Sequence, residues 1–328
     1  MVERELALEM ARVTEAASLA AARWMGRGDK EAADDAAVSA MRTMFDTVQM
    51  DGIVVIGEGE MDEAPMLYIG ERVGMGVPPL VDVAVDPLEG TNILAKGAYG
   101  ALAVMAVAPR GTLLHAPDMY MDKIAVGREC RGRVSLDAPV KENLKEVARA
   151  LDKSIREVTV VILDRPRHQE LIEEVRSTGC RIRLITDGDV SPAVAAAYEE
   201  SGVDILLGIG GAPEGVISAA ALRCMGGDFQ GRLWPEGESE TERALSMGIR
   251  DIKRLLTIED LVKSEDVFFA ATGITDGDLL KGVRFFSRRA VTHTLVMRGV
   301  SGTIRYIRAT HQLDKKPLFR DNRIKIRL

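Results

Sequence analysis

Val81-Asp82-Val83-Ala84-Val85-Asp86-Pro87-Leu88-Glu89-Gly90-Thr91 is the stretch of this 328-residue chain from which its fold can be argued. Hydrophobic residues dominate the first five positions and predict a β-strand with Asp86 at its tip. The proline and glycine that follow favour a tight turn, which would bring Glu89 back beside Asp86. Two carboxylates that converge in this way repel each other unless a cation lies between them. The stretch therefore predicts a cation site at the end of a strand.

Further acidic residues occupy comparable positions elsewhere in the chain. The predicted strand 53–56 runs into Glu58, Asp34 lies on a predicted helix, and Glu214 follows a proline at a predicted helix start. A set of oxygen ligands without histidine or cysteine is typical of Mg²⁺ or Mn²⁺ rather than of zinc. Thr91 comes directly after the two clustered acids and supplies a hydroxyl that can position a water molecule.

Cysteine and histidine usage supports a site built from carboxylates. Cys130, Cys180 and Cys224 are far apart and form no C-x-x-C pair, so they are predicted to be buried thiols of a reducing compartment. The four histidines are scattered, and none forms an H-x-x-x-H pair. The sequence therefore argues against a histidine metal site and against a Ser-His-Asp triad.

The charge balance excludes other classes of protein. The chain has 43 Lys and Arg residues and 50 Asp and Glu residues, a formal net charge of −7. Sequence-independent nucleic-acid binding needs an excess of basic residues, so no nucleic-acid partner is expected. No uncharged apolar run approaches the roughly 18–20 residues of a membrane span, and acids at Glu3, Glu5 and Glu9 interrupt the start of the chain. We therefore expect a cytoplasmic protein with neither a membrane span nor a secretory leader.

Two patterns of secondary structure meet near residue 140. Before it, we predict helices over 6–24 and 30–50 and strands over 53–56, 81–85, 102–107 and 124–126. After it, predicted strands (158–163, 181–186, 203–207) alternate with predicted helices (168–177, 191–201, 214–224), which favours a parallel sheet with right-handed crossovers. We expect an α+β metal-binding domain over residues 1–140 and an α/β domain over residues 141–328.

A polar loop follows each predicted strand of the second half, at 164–168, 187–189 and 208–214. The carboxyl ends of parallel strands share one edge of a sheet, where open α/β folds bind their ligands. A role as simple connections between strands and helices accounts for the glycines and prolines in these loops. It does not account for Arg165, Arg167 and the acids beside them. The layout therefore predicts a ligand site along this edge.

The last 48 residues, from Lys281 onward, differ in charge from the rest. They contain 13 Lys or Arg residues and two Asp residues, a net charge of +11, which leaves −18 on the first 280 residues. Two interpretations stay open: an RNA contact, or a solvated strand face that pairs with the acidic body within or between subunits. Low aromatic content favours the second, because stacking platforms for bases are scarce.

The acidic stretch resembles the D-P-x-[DE]-G-T signature of the lithium-sensitive, metal-dependent phosphomonoesterases, which include inositol monophosphatases and fructose bisphosphatases. At position 89 this chain has Glu where inositol phosphatases carry Asp, and in this it resembles the class II (GlpX-type) fructose-1,6-bisphosphatases. The resemblance to that family runs in register from residue 3 to about residue 310. Further matching blocks are GRGDK at 26–30, GEGEMDEAPMLYIGE at 57–71, APDMYM at 116–121, PRH at 166–168, DGDV at 187–190 and GIGGAPEGVISAA at 208–220.

The resemblance implies a layered αβαβα sugar-phosphatase fold, α+β and α/β in class, and it implies roles for named residues. The implied catalytic residues are Thr91, which orients the attacking water, and Asp62 and Lys30, which support it. The implied metal ligands, for two or three Mg²⁺ or Mn²⁺ ions, are Asp34, Glu58, Asp86, Glu89 and Glu214. The implied substrate contacts are Glu89, Gly90, Thr91, Tyr120, Arg165, Pro166, Arg167, Asp187, Gly188, Asp189 and Gly211.

The function that the resemblance implies is hydrolysis of the 1-phosphate of fructose-1,6-bisphosphate in gluconeogenesis. Water would attack directly, without a phosphoenzyme, in a homo-oligomer of two or four chains. Sedoheptulose-1,7-bisphosphate is the alternative substrate, although the bifunctional photosynthetic relatives are longer near residues 74–80 and 232–241.

Two interpretations from other classes are weaker. A dinucleotide loop at 208–215 would need glycine where Pro213 stands. A non-catalytic sugar-phosphate sensor would be expected to lack metal ligands, and every ligand position is present.

Overall fold

The computed structural model describes residues 6–59 and 64–316. Its helices are α1 (Leu6–Ala21), α2 (Lys30–Phe45), α3 (Thr91–Lys96), α4 (Val140–Ala150), α5 (Gln169–Thr178), α6 (Val190–Ala195), α7 (Ala212–Met225), α8 (Glu238–Ser246) and α9 (Ile258–Leu261). Its strands are β1 (Asp51–Ile56), β2 (Arg72–Val73), β3 (Leu80–Glu89), β4 (Leu102–Pro109), β5 (Tyr120–Val126), β6 (Thr159–Leu163), β7 (Arg181–Ile185), β8 (Ile205–Gly211), β9 (Asp228–Trp234), β10 (Leu256–Thr257), β11 (Phe268–Gly273), β12 (Arg284–Phe285), β13 (Arg289–Arg298) and β14 (Thr303–Gln312).

The strands form two mixed sheets. The first has the spatial order β12-β13-β11-β4-β3-β1-β2, with β14 paired to the other side of β13. The second has the order β10-β9-β5-β8-β6-β7. In the second sheet only β6, β7 and β8 are parallel, while β5 and β9 pair antiparallel, so the predicted parallel arrangement is part of a mixed sheet.

The three largest hydrophobic cores of residues 6–59 and 64–316 separate five layers. One core joins α1 and α2 to the first sheet, a second joins the two sheets through α7, and a third joins the second sheet to α4 and α5. Because side chains alternate along a strand, each sheet contributes to two cores. The order helix, sheet, helix, sheet, helix is the expected αβαβα fold.

β3 continues past the point at which the sequence predicts its end. It reaches Glu89 instead of stopping at Asp86, and its register against β4 shifts between these two residues. Residues three apart on a regular strand point to opposite faces, but the shift inserts an extra residue, as in a β-bulge. Leu88 consequently packs in the same core as Val83 and Val85, and Glu89 regains the face of Asp86. A bulge, not a turn, brings the two acids together.

The predicted loop at 208–214 is also regular structure. Residues 208–211 are the end of β8, paired with β5, and α7 begins at Ala212. The glycine-rich composition of this segment favours a loop, but the β5 ladder supplies hydrogen-bond partners that local sequence does not reveal.

The two sheets do not divide at residue 140. β5 belongs to the second sheet, and β11 to β14, near the end of the described chain, complete the first. Each sheet therefore contains strands from both sides of residue 140, because antiparallel pairs form between distant parts of the chain. The division into domains 1–140 and 141–328 stays a prediction. No helix within 6–59 and 64–316 has the length and apolarity that crossing a bilayer demands.

The core between α2 and the first sheet predicts a large stability effect. Phe45 is fully buried there, so Phe45→Ala should lower the free energy of unfolding by about 3–5 kcal/mol, from lost transfer energy plus a cavity. Leu8, on the adjacent helix and 60% exposed, is the control, and Leu8→Ala should change it by less than about 0.5 kcal/mol. Urea unfolding followed by circular dichroism measures both. Equal losses in the two variants would contradict this packing.

Candidate metal centre and substrate cleft

Three carboxylates meet between the two sheets. Asp86 and Glu89 come from the bulge of β3, and Glu214 lies in the first turn of α7. A carboxylate oxygen of each lies within 4.8 Å of one from each of the others. The Asp86 carboxylate also accepts a hydrogen bond from Leu88 N at 3.1 Å, and Glu89 accepts one from Val190 N at 2.9 Å, so both side chains are held in place.

A second acidic pair lies beside this group. Asp34 is on α2, whose N-terminus is capped by Asp29 through a 3.0 Å bond from Ala32 N. Glu58 follows β1, and its backbone N–H donates to the carbonyl of Leu67 at 3.0 Å. Residue 57 must be glycine for this contact, because a Cβ there would lie 1.9 Å from the Leu67 oxygen. The side chains of Asp34 and Glu58 are hydrogen-bonded to each other.

Burial and mutual repulsion disfavour ionisation of all five carboxylates in the protein alone. Burial is the largest cause and raises the pKa of Glu58 to about 8, with the Asp34 charge next. Burial raises the pKa values of Asp86 and Glu89 well above their usual range, and neighbouring carboxylates add to it. The pKa of Glu214 is raised by burial, against the lowering effect of Lys123. Such a cluster keeps its protons unless positive charge replaces them.

The donor set fits divalent cations that prefer oxygen ligands. Glu214 Oε2 is buried and has no hydrogen-bond partner among the described residues. Glycine at 211 leaves the room for it, because a Cβ there would lie 1.8 Å from this oxygen. A buried, unpartnered carboxylate oxygen needs an explanation, and a cation shared with Asp86 and Glu89 provides one. Carboxylates without imidazole or thiolate favour Mg²⁺ or Mn²⁺.

The acids line one open cleft of about 370 Å³. Thr91, Gly90 and Asp187 are also in its wall, and the described lining contains no Lys or Arg. Its acidic residues are Asp34, Glu58, Asp86, Glu89, Asp118, Asp187 and Glu214. A phosphate dianion would be repelled by this wall unless cations were bound to it.

The cleft thus brings together the five predicted ligands with Thr91 and Asp187. Gly90 is left-handed, with φ of 89°, and ends β3 so that Thr91 begins α3 beside the acids. Asp187 is tied to α3 by hydrogen bonds from Asn92 N at 3.3 Å and Asn92 Nδ2 at 3.2 Å. This contact joins the predicted loop at 187–189, which follows β7 of the second sheet, to the acidic stretch of the first sheet.

Other predicted substrate residues border the cleft or lie behind it. Arg165 is 3.7 Å from Asp187, and the Arg167 guanidinium lies 4.4 Å from the Tyr120 ring centroid and donates to the carbonyl of Ile209 at 2.8 Å. The predicted residues outside the cleft lining are Lys30, Tyr120, Arg165, Pro166, Arg167, Gly188, Asp189 and Gly211. Asp62 lies outside the described residues.

Two residues of this region have no role in the sequence-based prediction. Asp118 lies in the cleft wall, and its place within the APDMYM block was the available signal. Lys123 is on β5, only 1% exposed, with its Nζ 2.7 Å from Asp189 Oδ2. It lies on the same face of β5 as Met121 and Ala125, which pack in the core between the sheets. A single lysine among apolar strand residues gives no sequence signal for a buried ion pair.

Fold and site together define a metal-dependent sugar phosphatase class. The chain belongs to the family described as "Bacterial fructose-1,6-bisphosphatase, glpX-encoded", whose model matches residues 4–311. It is 50% identical over 328 residues to the Escherichia coli (strain K12) protein named "Fructose-1,6-bisphosphatase 1 class 2", with 96% of this chain and 97% of the relative covered. It is 48% identical over 337 residues to a Synechococcus (strain JA-2-3B'a(2-13)) protein named "D-fructose 1,6-bisphosphatase class 2/sedoheptulose 1,7-bisphosphatase", with 95% and 97% covered.

The acidic cluster predicts an unusual pH dependence of stability. Without metal, the free energy of unfolding should fall as the pH rises from about 5 to about 8, because folded Glu58 has a pKa of about 8 against an ordinary value of 4.5. In that range the folded state keeps a proton that the unfolded chain has released. Urea unfolding in EDTA measures the slope, and Glu58→Gln should reduce it. A flat profile in both proteins would contradict the cluster.

The Lys123–Asp189 pair predicts a second stability effect. Lys123→Met leaves a buried carboxylate without its partner, so the free energy of unfolding should fall by about 3–5 kcal/mol. The exposed pair Lys145–Glu142, at 2.8 Å, gives the control Lys145→Met, which should cost less than about 1 kcal/mol. Urea unfolding at neutral pH compares them. If the two losses were alike, Lys123 would not be the counter-charge of Asp189.

Proposed function

We propose that this protein hydrolyses the 1-phosphate of fructose-1,6-bisphosphate to give fructose 6-phosphate and inorganic phosphate. The observation that carries the proposal is the cleft wall, whose described residues include seven acidic side chains and Thr91 but no Lys or Arg. Such a wall suits a phosphate ester only when cations are bound. The names of the class 2 relatives, and membership of their family, support fructose-1,6-bisphosphate as the substrate.

We infer that Asp34, Glu58, Asp86, Glu89 and Glu214 hold two or three Mg²⁺ or Mn²⁺ ions. When bound, such ions lower the pKa of water and offset negative charge on the phosphate and on the leaving oxygen. The support within this chain is the unpartnered Oε2 of Glu214 and the raised pKa values of its neighbours.

The protein's own groups orient the reacting molecules. We assign the Thr91 hydroxyl to hold the attacking water, Asp62 to accept its proton, and Lys30 to support them, as the resemblance implies. The water oxygen forms a bond to phosphorus while the bond to the sugar O1 breaks, and a proton passes to that oxygen. No covalent phosphoenzyme is formed.

The remaining phosphate and the sugar need separate contacts. We assign Arg165 and Arg167 to the 6-phosphate, because guanidinium groups bind phosphate through two parallel hydrogen bonds. The proposed contacts to the rest of the substrate are Glu89, Gly90, Thr91, Tyr120, Pro166, Asp187, Gly188, Asp189 and Gly211. Asp189 already accepts a bond from Lys123, so its unpartnered Oδ1 is the oxygen left for a sugar hydroxyl.

Sedoheptulose-1,7-bisphosphate is a second candidate substrate. The relative from Synechococcus, named for both bisphosphates, is 48% identical to this chain. Because both substrates present a phosphorylated primary alcohol beside a ketose, the same cleft chemistry would serve. We therefore propose a fructose-1,6-bisphosphatase with activity on the seven-carbon ester as the alternative.

We place this reaction in gluconeogenesis, in the cytoplasm, and in a homo-oligomer of two or four chains. Three free, buried cysteines support a reducing compartment.

Metal removal and two substitutions test the proposal. Phosphate release from fructose-1,6-bisphosphate should require Mg²⁺ or Mn²⁺ and stop in EDTA. Thr91→Val, which keeps the shape but removes the hydroxyl, should lower kcat by about 10²–10⁴, and Asp34→Asn should raise the metal concentration needed for half-maximal rate. In H₂¹⁸O, a single turnover should place one ¹⁸O in phosphate and none in the sugar.

Asp35→Asn is the matched control for Asp34→Asn, because Asp35 is the exposed neighbour on the same helix and is absent from the cleft wall. It should retain the wild-type metal requirement. Activity that survives EDTA, or a phosphate trapped on the protein, would overturn the proposal. Parallel assays with sedoheptulose-1,7-bisphosphate decide between the two substrate assignments.

A further inference from the structure

The basic C-terminal segment contains a second concave site, away from the acidic cleft. Over residues 281–316 it carries nine Lys or Arg residues and one Asp, a net charge of +8. Several of these cations are already engaged: Arg298 pairs with Asp266 at 3.1 Å, and the Arg289 guanidinium lies 4.7 Å from the Phe286 ring centroid. Three of the other basic residues, Lys281, Arg284 and Arg308, line one pocket.

Strand register gathers this group. Arg284 of β12 is opposite Val291 of β13, and His293, two residues further on the same face, is opposite Arg308 of β14. Three adjacent strands therefore display Arg284, His293 and Arg308 on one face. Lys281, in the segment that leads into β12, lines the same pocket of about 550 Å³.

The positive charge in this pocket is only partly neutralised. Asp276 is its acidic residue, and that carboxylate is bound by Arg284 and by Gly282 N at 2.9 Å. Among residues 6–59 and 64–316, the side chains of Lys281 and Arg308 take part in no ion pair or hydrogen bond. Like charges on neighbouring strands destabilise a sheet, so an anion between them would relieve the repulsion.

The imidazole of His293 supplies an independent observation. Its Nδ1 is buried and has no hydrogen-bond partner among the described residues. Burial and then the charges of Arg308 and Lys281 lower the pKa of this side chain, and a hydrogen bond with the Gly282 backbone opposes that lowering. Buried polar atoms are rarely left unsatisfied without a ligand or an ordered water.

We propose that Lys281, Arg284, His293 and Arg308 form a binding site for a phosphate group, separate from the catalytic cleft. The Arg308 guanidinium and the Lys281 ammonium match the several oxygens of a tetrahedral dianion. Arg284, which is bound to Asp276, adds positive charge, and the imidazole of His293 lines the same pocket. The pocket volume leaves room for an organic body attached to the phosphate, next to the half-exposed ring of Phe286. None of its lining residues belongs to the acidic cleft.

Calorimetric titration of the Mg²⁺-loaded protein tests this site, with inorganic phosphate and phenylphosphonate as probes. Wild type should bind phosphate at two sites per chain, the cleft and the basic pocket. The double variant Lys281→Met/Arg308→Met should lose one of them, with affinity weakened about tenfold or more per cation removed. Asp86→Asn should lose the cleft site and keep the other. Tighter binding of phenylphosphonate than of phosphate would identify an organic phosphate as the ligand, and the reverse would identify the free anion.

Arg305→Met is the matched control. Arg305 lies on β14 three residues from Arg308 and opposite Val296, on the other face of the sheet, and it is exposed. The Arg305→Met substitution removes one positive charge, as Arg308→Met does. It should leave phosphate binding at both the cleft and the basic pocket intact in about 0.15 M salt, where long-range attraction is screened. The single variant Arg308→Met, with melting temperature and circular dichroism, separates lost binding from lost folding.

Three results would overturn the proposal. One is an isotherm of the folded double variant that matches wild type. Another is an equal loss of phosphate binding in Arg305→Met, which would mean attraction by net charge alone. The third is a double variant whose molecular mass by light scattering differs from that of wild type while its phosphate binding does not. That result would assign the basic pocket to contact between chains.

Discussion

Repulsion among buried carboxylates is the constraint on which the rest of this structure depends. Asp86, Glu89 and Glu214 approach within 4.8 Å of one another, with Asp34 and Glu58 beside them. In the protein alone, this arrangement holds protons that free carboxyl groups would have lost at neutral pH. This energetic cost is borne between the two sheets, where β1, β3, α2 and α7 position the carboxylates. A site that is unfavourable without cations is thereby ready to bind them.

The positive counter-charges lie outside the cleft wall. Lys123 neutralises Asp189 behind the wall, and Arg165 approaches Asp187 at its border. Negative charge therefore faces the cleft, and the proposed function assigns the second phosphate of a bisphosphate to Arg165 and Arg167. Under the proposed function, this distribution would separate the phosphate to be cleaved from the phosphate that is only bound. It also explains how an acidic protein can act on anionic substrates, because its positive charge at the cleavage site comes from bound cations.

Much of the site was predictable because its chemistry is local. Asp86, Glu89 and Thr91 lie within six residues, and the absence of paired histidines left oxygen ligands as the choice. Resemblance to sugar phosphatases then linked Asp34, Glu58 and Glu214 to them, and the cleft brings all five together. The bulge was not predictable, because a proline and a glycine at these positions are compatible with a turn as well as with a bulge. Likewise, Lys123 has a partner 66 residues away that local sequence cannot indicate.

The sequence by itself determined the composition of the site, the αβαβα class through its resemblance, and the opposite charges of body and C-terminal segment. Only the tertiary structure decided which strands share a sheet, because β5 pairs with β8 and β9, and β11 pairs with β4, across long distances in the chain. It also decided which basic side chains share a face, since Arg284, His293 and Arg308 meet only through the register of three strands. The residue types of a site can be read from short segments of the sequence. Strand pairing depends on the burial of whole sheet faces, which no short segment specifies.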